Sequence, residues 1–330
     1  MARPNEFAAG AKATQSAIPP TEPLSSESCP FCVGHEALTP PAIATDPAGA
    51  TDHWLVRVVP NKFPALEPAA TPRSMEASCW GQVLPGLGTH EVVIESNQHV
   101  ERTGEISVEQ LTSVLRIYRQ RLVELARDGR WRYAQVFKNV GKSGGASLAH
   151  LHSQILATAT VPTTIKTELD HAARHAQATG RCLFCDLIER ERSEGVRIVS
   201  DEAGVVVLCP FASRLPYETW VLPTAHDSHF EDSSDEMLAA LAAKLHAIVK
   251  VMEEQLPEAA YNYLIHTAPF DSLRGPHYHW HVEIIPRVTM MAGFELGSGY
   301  FINPVSPEKA AAALKRMQLE STSARTLPMS

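Results

Sequence analysis

The stretch Gly144–Ala157 reads GGASLAHLHSQILA and sets two histidines, His150 and His152, two positions apart. On an extended strand side chains alternate between faces, so both imidazoles, and Gln154 after them, point the same way. Imidazole is at once a metal ligand and, near neutral pH, a nucleophile. A structural zinc site commonly combines one close cysteine pair with two more distant residues. The chain supplies C-x-x-C twice, as Cys29/Cys32 in CPFC and Cys182/Cys185 in CLFC. In a long chain whose N-terminal MARPNEFAAGAKATQ lacks a signal-peptide core, such pairs favour metal over disulfides. The spacing assigns Cys29, Cys32, His99 and His150 to one zinc site and Cys182, Cys185, His226 and His279 to a second, about two ions per chain. His229, in HDSHF, stands close enough to His226 to take its place.

With His150 turned to a metal, His152 is left on the same face. Just upstream, FKNVGKSGGAS offers Asn139, Lys142 and the loop Ser143–Ser147. Glycines let backbone N–H groups come close to phosphate oxygens. A plain turn is the bland reading of this loop, as a satisfied core histidine is of His152. Together they suggest attack by His152 on phosphorus, with Gln154 donating its amide to a non-bridging oxygen.

The elements that must position these groups occur twice. CPFC, WLVRVVPN, THEVVIESNQH, a helix, YAQVFKNVG and HLHSQILA are followed in the same order by CLFC, GVVVLCPF, YETWVLPTAH, a helix, YNYLIHTAP and HWHVEIIP. Ser107 with Gln110, and Ser233 with Glu236, read as capping boxes ahead of two amphipathic helices. The segment Leu66–Gly88, rich in Pro, Ala and Gly, reads as an insertion in the first copy. The fold predicted is α+β, two fused repeats of antiparallel half-sheet with packed helices, over 29–160 and 182–306. A linker, 161–181, carries a short helix around TELDHAARHAQA, residues 1–28 read as flexible, and 307–330 form a tail whose last dozen residues read as mobile. In the second copy His281 stands where His152 does and Glu283 where Gln154 does, without a glycine loop, which suggests a degenerate structural copy.

A net charge of −8 and 44% hydrophobic residues describe a globular chain without the basic footprint of a nucleic-acid or anionic-membrane binder. No apolar run is long enough for a membrane span, and the expected compartment is the cytoplasm.

FKNVGKSGGASLAHLHSQILA resembles the active-site stretch of the galactose-1-phosphate uridylyltransferase family, a branch of the histidine-triad superfamily, and the similarity runs from RPNEF to GFELGSGYFINP. The resemblance implies two fused histidine-triad-like repeats and ping-pong nucleotidyl transfer. His152 would become nucleotidylated, His150 would ligate zinc, and Gln154 would steady the phosphoryl oxygens. Asn61, Asn139, Gly145, Ala146 and Ser147 would hold the nucleotide and its phosphates, and Phe294 and Glu295 the sugar-phosphate side. The implied partners are a nucleoside diphosphate sugar and a hexose 1-phosphate or phosphate, with a homodimer favoured. Between and after its paired histidines this chain has Leu151 and Ser153 where the family usually has Pro and Gly. GAS-x-x-H-x-HSQ also resembles plant ADP-glucose phosphorylases. The first expectation is UDP-glucose:hexose-1-phosphate uridylyl transfer, as in galactose metabolism, with an ADP-glucose phosphorylase-type adenylyl transfer as alternative. A histidine-triad hydrolase usually carries His where Gln154 stands, and a non-catalytic zinc module is the rival of another class.

Overall fold

The computed structural model describes residues 26–69, 86–256 and 260–326, and the expectations for 1–25 and for most of the Leu66–Gly88 insertion fall outside them. The first repeat contributes β1 (Ala44–Asp46), β2 (Val56–Pro60), β3 (Gly88–Ile94), α1 (Val108–Asp128), β4 (Tyr133–Val140) and β5 (His152–Thr158). After α2 (Thr163–Thr179) and α3 (Leu183–Glu194), the second contributes β6 (Ile198–Glu202), β7 (Val205–Leu208), β8 (Thr219–Pro223), α4 (Asp235–Gln255), β9 (Tyr261–His266) and β10 (His281–Pro286). The chain then forms α5 (Gly293–Ser298) and α6 (Pro307–Thr326).

The strands make one ten-stranded sheet in the order β1-β2-β3-β5-β4-β9-β10-β8-β7-β6, and each pairing of neighbouring strands is antiparallel. Read from its middle the order is the same in both directions. The two half-sheets join at the β4–β9 seam, where Asn139 pairs with Asn262.

Strand alternation sorts the side chains into two layers. Val93, Ile155 and Ala157 of the first repeat and Trp280, Val282 and Ile284 of the second belong to a core cluster shared with α1 and α4. That layer also buries a Lys138–Glu95 ion pair, beside which the Tyr118 hydroxyl lies 2.8 Å from Glu95 and 2.7 Å from both Ser153 Oγ and the Tyr263 hydroxyl. The opposite face carries His150, His152 and Gln154, and in the second half His279, His281 and Glu283. Two smaller clusters cover it, one around Cys29, Phe31, Cys32 and Trp54 and the other around Cys182, Phe184 and Tyr278.

Several expectations change in detail. Helix α1 starts as expected, with the Ser107 hydroxyl accepting from the Gln110 N–H, although the Gln110 side chain donates to the carbonyls of Leu55 and Glu95 instead of closing a box. Helix α4 is capped by Ser234, which accepts from the Met237 N–H. Ser233 is one residue early because its N–H closes a 3-10 turn on the Phe230 carbonyl. The short strands β1 and β6 extend each repeat beyond the four-strand reading. The linker helix is 17 residues long. The expected tail is helical as far as Thr326, because Ala310, Ala311 and Leu314 reach the shared core.

Candidate functional site

The first cysteine pair lies in turns, and its sulfurs meet two histidines, His99 from the segment after β3 and His150 just ahead of β5. His150 Nδ1 lies 3.4 Å from Cys29 Sγ and 3.6 Å from Cys32 Sγ, and His99 Nδ1 lies 3.4 Å from Cys32 Sγ. In the second repeat Cys182 caps α3 and Cys185 lies in its first turn. His279 Nδ1 stands 3.6 Å from Cys185 Sγ and 4.0 Å from Cys182 Sγ, and His226 Nδ1 3.6 Å from Cys185 Sγ. In each set the four donor atoms lie within 4.8 Å of one another. Four bonds of zinc-like length to N and S ligands around a tetrahedral ion require separations of roughly 3.3–3.8 Å.

The outer ring nitrogens fix the tautomers. His150 Nε2–H donates to the Ser96 carbonyl, His279 Nε2–H to Pro223, and His226 Nε2–H to Gly275, at 2.9, 3.0 and 3.0 Å. Each therefore presents the Nδ1 lone pair to the thiols, the arrangement a metal-bound imidazole takes. Burial lowers His150 to about 4 and His279 to about 3, so neither competes for the site as a cation. Burial, then the neighbouring thiol, pushes Cys32 up to about 11 and Cys185 to about 12, so a cation in the site is what would favour the thiolates. His229 lies apart from the second set: it is buried, with Nδ1 2.7 Å from Ser228 Oγ and Nε2 3.3 Å from the Pro269 carbonyl. Of the two candidates for the fourth position, the structure brings in His226.

His152 begins β5, with Phe31 edge-on at 5.4 Å between ring centroids. Its Nδ1–H donates to the His150 carbonyl at 2.8 Å, which leaves Nε2 with the lone pair. Burial lowers its pKa below the ordinary imidazole value, so the ring is neutral at pH 7. Gln154 follows on the same face, paired with Val92 on one side and Phe137 on the other. Asn139, two positions beyond Phe137, shares that face. Leu151 and Ser153, where the chain departs from the family's usual residues, point to the helix side, Leu151 into the core and Ser153 to Tyr118.

The glycine loop differs from expectation. The N–H groups of Gly144 and Ala146 donate to the Gly141 carbonyl and that of Gly145 to Lys142, so Gly145 and Ala146 shape the loop and do not present free donors. Gly145 has φ +83°, and a Cβ on Gly144 would sit 2.2 Å from the Val140 carbonyl oxygen. Ser147 makes no hydrogen bond to the described residues. Asn61, after β2, lies beside His90, with Nδ2 3.1 and 3.3 Å from the two ring nitrogens. Phe294 and Glu295 fall on the exposed helix α5, and no hydrogen bond or ring contact joins them to His152 or Gln154.

Sequence reasoning passed over four residues, His90, Asn262, Glu168 and His266. His90 Nε2 lies 2.7 Å from Gln154 Oε1. Asn262, on β9, donates to Asn139 Oδ1 and to the Gly144 carbonyl, both at 2.7 Å. Glu168, on α2, reaches the second repeat's histidines, with oxygens 3.2 Å from His266 Nδ1 and 3.4 Å from His281 Nε2. Burial works against a charge on His281, yet the carboxylates of Glu168 and Glu283 outweigh it and push the ring up to about 10. Glu168, His266, His281 and Glu283 form a third group of donor atoms able to hold a cation. His281 Nδ1–H donates to the His279 carbonyl as His152 does to His150, but its Nε2 is enclosed. Strand-type sequence hid His90 and Asn262, and Glu168 reads as one charge on an amphipathic helix.

A family model described as Domain of unknown function (DUF4921) matches residues 87–327. An ADP-glucose phosphorylase of Arabidopsis thaliana is 33% identical over 323 residues, 96% of this chain and 88% of that protein. A galactose-1-phosphate uridylyltransferase of Thermotoga maritima is 27% identical over 312 residues, 91% of this chain and 92% of that protein. A crystal structure of an ADP-glucose phosphorylase from Arabidopsis thaliana with bound ADP-glucose aligns with a TM-score of 0.78 and 33% identity, over 89% of this chain and 92% of that one. With its doubled histidine-triad-like sheet and near end-to-end similarity, the chain belongs to the galactose-1-phosphate uridylyltransferase-like family that takes in these proteins, and to the family that the matching model describes.

Proposed function

We propose that this chain is a nucleotidylyltransferase working by double displacement through His152. The observation that supports it best is the fixed ring: Nδ1–H is tied to the His150 carbonyl, and Nε2, the nucleophilic nitrogen, has no hydrogen-bond partner among the described residues. Nε2 attacks the α-phosphorus of a nucleoside diphosphate sugar. As the N–P bond forms, the bond from that phosphorus to the bridging oxygen breaks, and hexose 1-phosphate leaves with the electron pair. The His150 carbonyl steadies the positive charge that grows on the ring. An oxygen of phosphate or of a second hexose 1-phosphate then attacks the same phosphorus and releases His152. The Gln154 amide faces the charge developing on the non-bridging oxygens, with Asn139 beside it.

Cys29, Cys32, His99 and His150 on one side, and Cys182, Cys185, His226 and His279 on the other, would hold zinc, which when bound supplies rigid cross-links and no redox chemistry. The Arabidopsis similarity over 323 residues supports adenylyl transfer from ADP-glucose to phosphate as the first reading, reversing the order expected from the motif. The Thermotoga similarity over 312 residues supports uridylyl transfer between hexose 1-phosphates as the second. The exposed apolar run containing Met290, Phe294, Leu296, Tyr300 and Ile302 suits the homodimer that the family resemblance favours. Intact-mass measurement after separate incubation with ADP-glucose and UDP-glucose tests the reading: an adenylyl or uridylyl adduct, lost in His152→Gly, is expected, and no adduct with either removes it.

A further inference from the structure

We infer that His90 is a positioning residue that decides which way the Gln154 carboxamide points, an inference that rests on the nucleotidyl transfer proposed above. A backbone donor fixes the polarity of the ring. The Ala65 N–H points at His90 Nδ1 from 3.2 Å, and a backbone N–H can only donate. Nδ1 must therefore accept, and in a neutral imidazole the one proton then sits on Nε2. The ring is neutral because burial lowers its pKa, the Gln154 hydrogen bond opposing this only in part.

The Nε2–H so defined donates to Gln154 Oε1 at 2.7 Å. The carboxamide oxygen is thereby engaged, and the amide nitrogen, which has no partner among the described residues, is left for a phosphate. Asn61 braces the same ring. Its Oδ1 accepts from the Phe63 N–H at 2.8 Å, so the atom it turns to His90 is its amide nitrogen, 3.3 Å from Nδ1 and 3.1 Å from Nε2, of which only Nδ1 has a lone pair to accept from it. In the β3–β5 register His90 pairs with Leu156 and Val92 with Gln154, which makes His90 and Gln154 diagonal neighbours on the face that carries His152. The orientation of the glutamine is thus set from outside the reacting atoms by two backbone amides of the segment after β2. Without His90 a half-turn of the Gln154 side chain would put oxygen lone pairs, in place of N–H donors, against an anionic phosphate.

The test is a double-mutant cycle on exchange of labelled glucose 1-phosphate into the nucleotide sugar that forms the His152 adduct. In wild-type background His90→Ala is expected to lower kcat about 10- to 100-fold, less than the roughly 10²- to 10³-fold cost of removing a preorganised donor outright because the glutamine is still present, with KM changed less than about twofold. His90→Gln, whose own amide can donate to Gln154 Oε1, should recover most of the rate. In Gln154→Ala background His90→Ala should cost nothing further. If His90→Ala slows exchange by the same factor in both backgrounds, or acts through KM alone, the positioning role is overturned while the transfer reading stands. Should His90→Ala fail to fold, His90→Leu against His90→Gln gives the same comparison, and equal rates for the two overturn the inference. A wild-type protein that forms no adduct at His152 removes the transfer reading itself, and this inference with it.

Discussion

The attack proposed for His152 needs a lone pair on Nε2, and protonation removes it. Because burial depresses its pKa below about 6.5, the value of a free imidazole, kcat/KM should be flat through neutral pH and fall only as pH drops through that depressed value. A pH profile with its acid limb above the free-imidazole value would contradict this. His152→Gly should abolish labelled exchange while leaving thermal unfolding near wild type. Gln154→Ala should keep substrate binding and lose about 10²- to 10³-fold in rate, the usual effect of one oxyanion donor. That these two residues share a face, and that each cysteine pair meets two histidines, was legible because residue type and spacing announce it. His90 was not, since T-H-E-V-V reads as ordinary strand and its partner Gln154 is 64 positions away. Gly145 and Ala146 were read for free N–H groups, but the turns they form consume those groups.

Elements that alternate or cap by simple rules were readable, and the errors lie where local geometry shifts by one residue. Ser233 and Ser234 both precede α4, and only the fold distinguishes them. Ser234→Ala should cost about 1 kcal/mol in urea unfolding, as N-cap losses do, because the Met237 N–H loses its acceptor. Ser233→Ala should cost little, since its buried Oγ has no hydrogen-bond partner. The reverse ranking of midpoints would restore the sequence assignment. Strands β1 and β6 escaped notice because they are the two edge strands, part-exposed and without the buried apolar run that marks β2, β7 and β8. Helix α6 was read as tail because Ala310 and Ala311 are small, and their burial depends on a core assembled from distant strands.

Across the whole molecule, the matched ligand sets predict about two zinc ions per chain by elemental analysis, with Cys29→Ser and Cys182→Ser each losing one. Chelation should lower Tm. Cys29→Ser should harm transfer more, because His150 turns Nδ1 to the proposed zinc site while its carbonyl accepts from His152 Nδ1–H. Metal-free protein with unchanged Tm and rate would remove both sites. The duplication was plain in the order of motifs, but how the halves meet was not, because pairing partners at a seam leave no local signature. That seam gives the second repeat a hold over the first repeat's proposed site. Asn262 anchors both Asn139 and the Gly144 loop. A change at that one β9 side chain would therefore be felt across the seam, since the second repeat lends the first repeat's loop two of its fastenings.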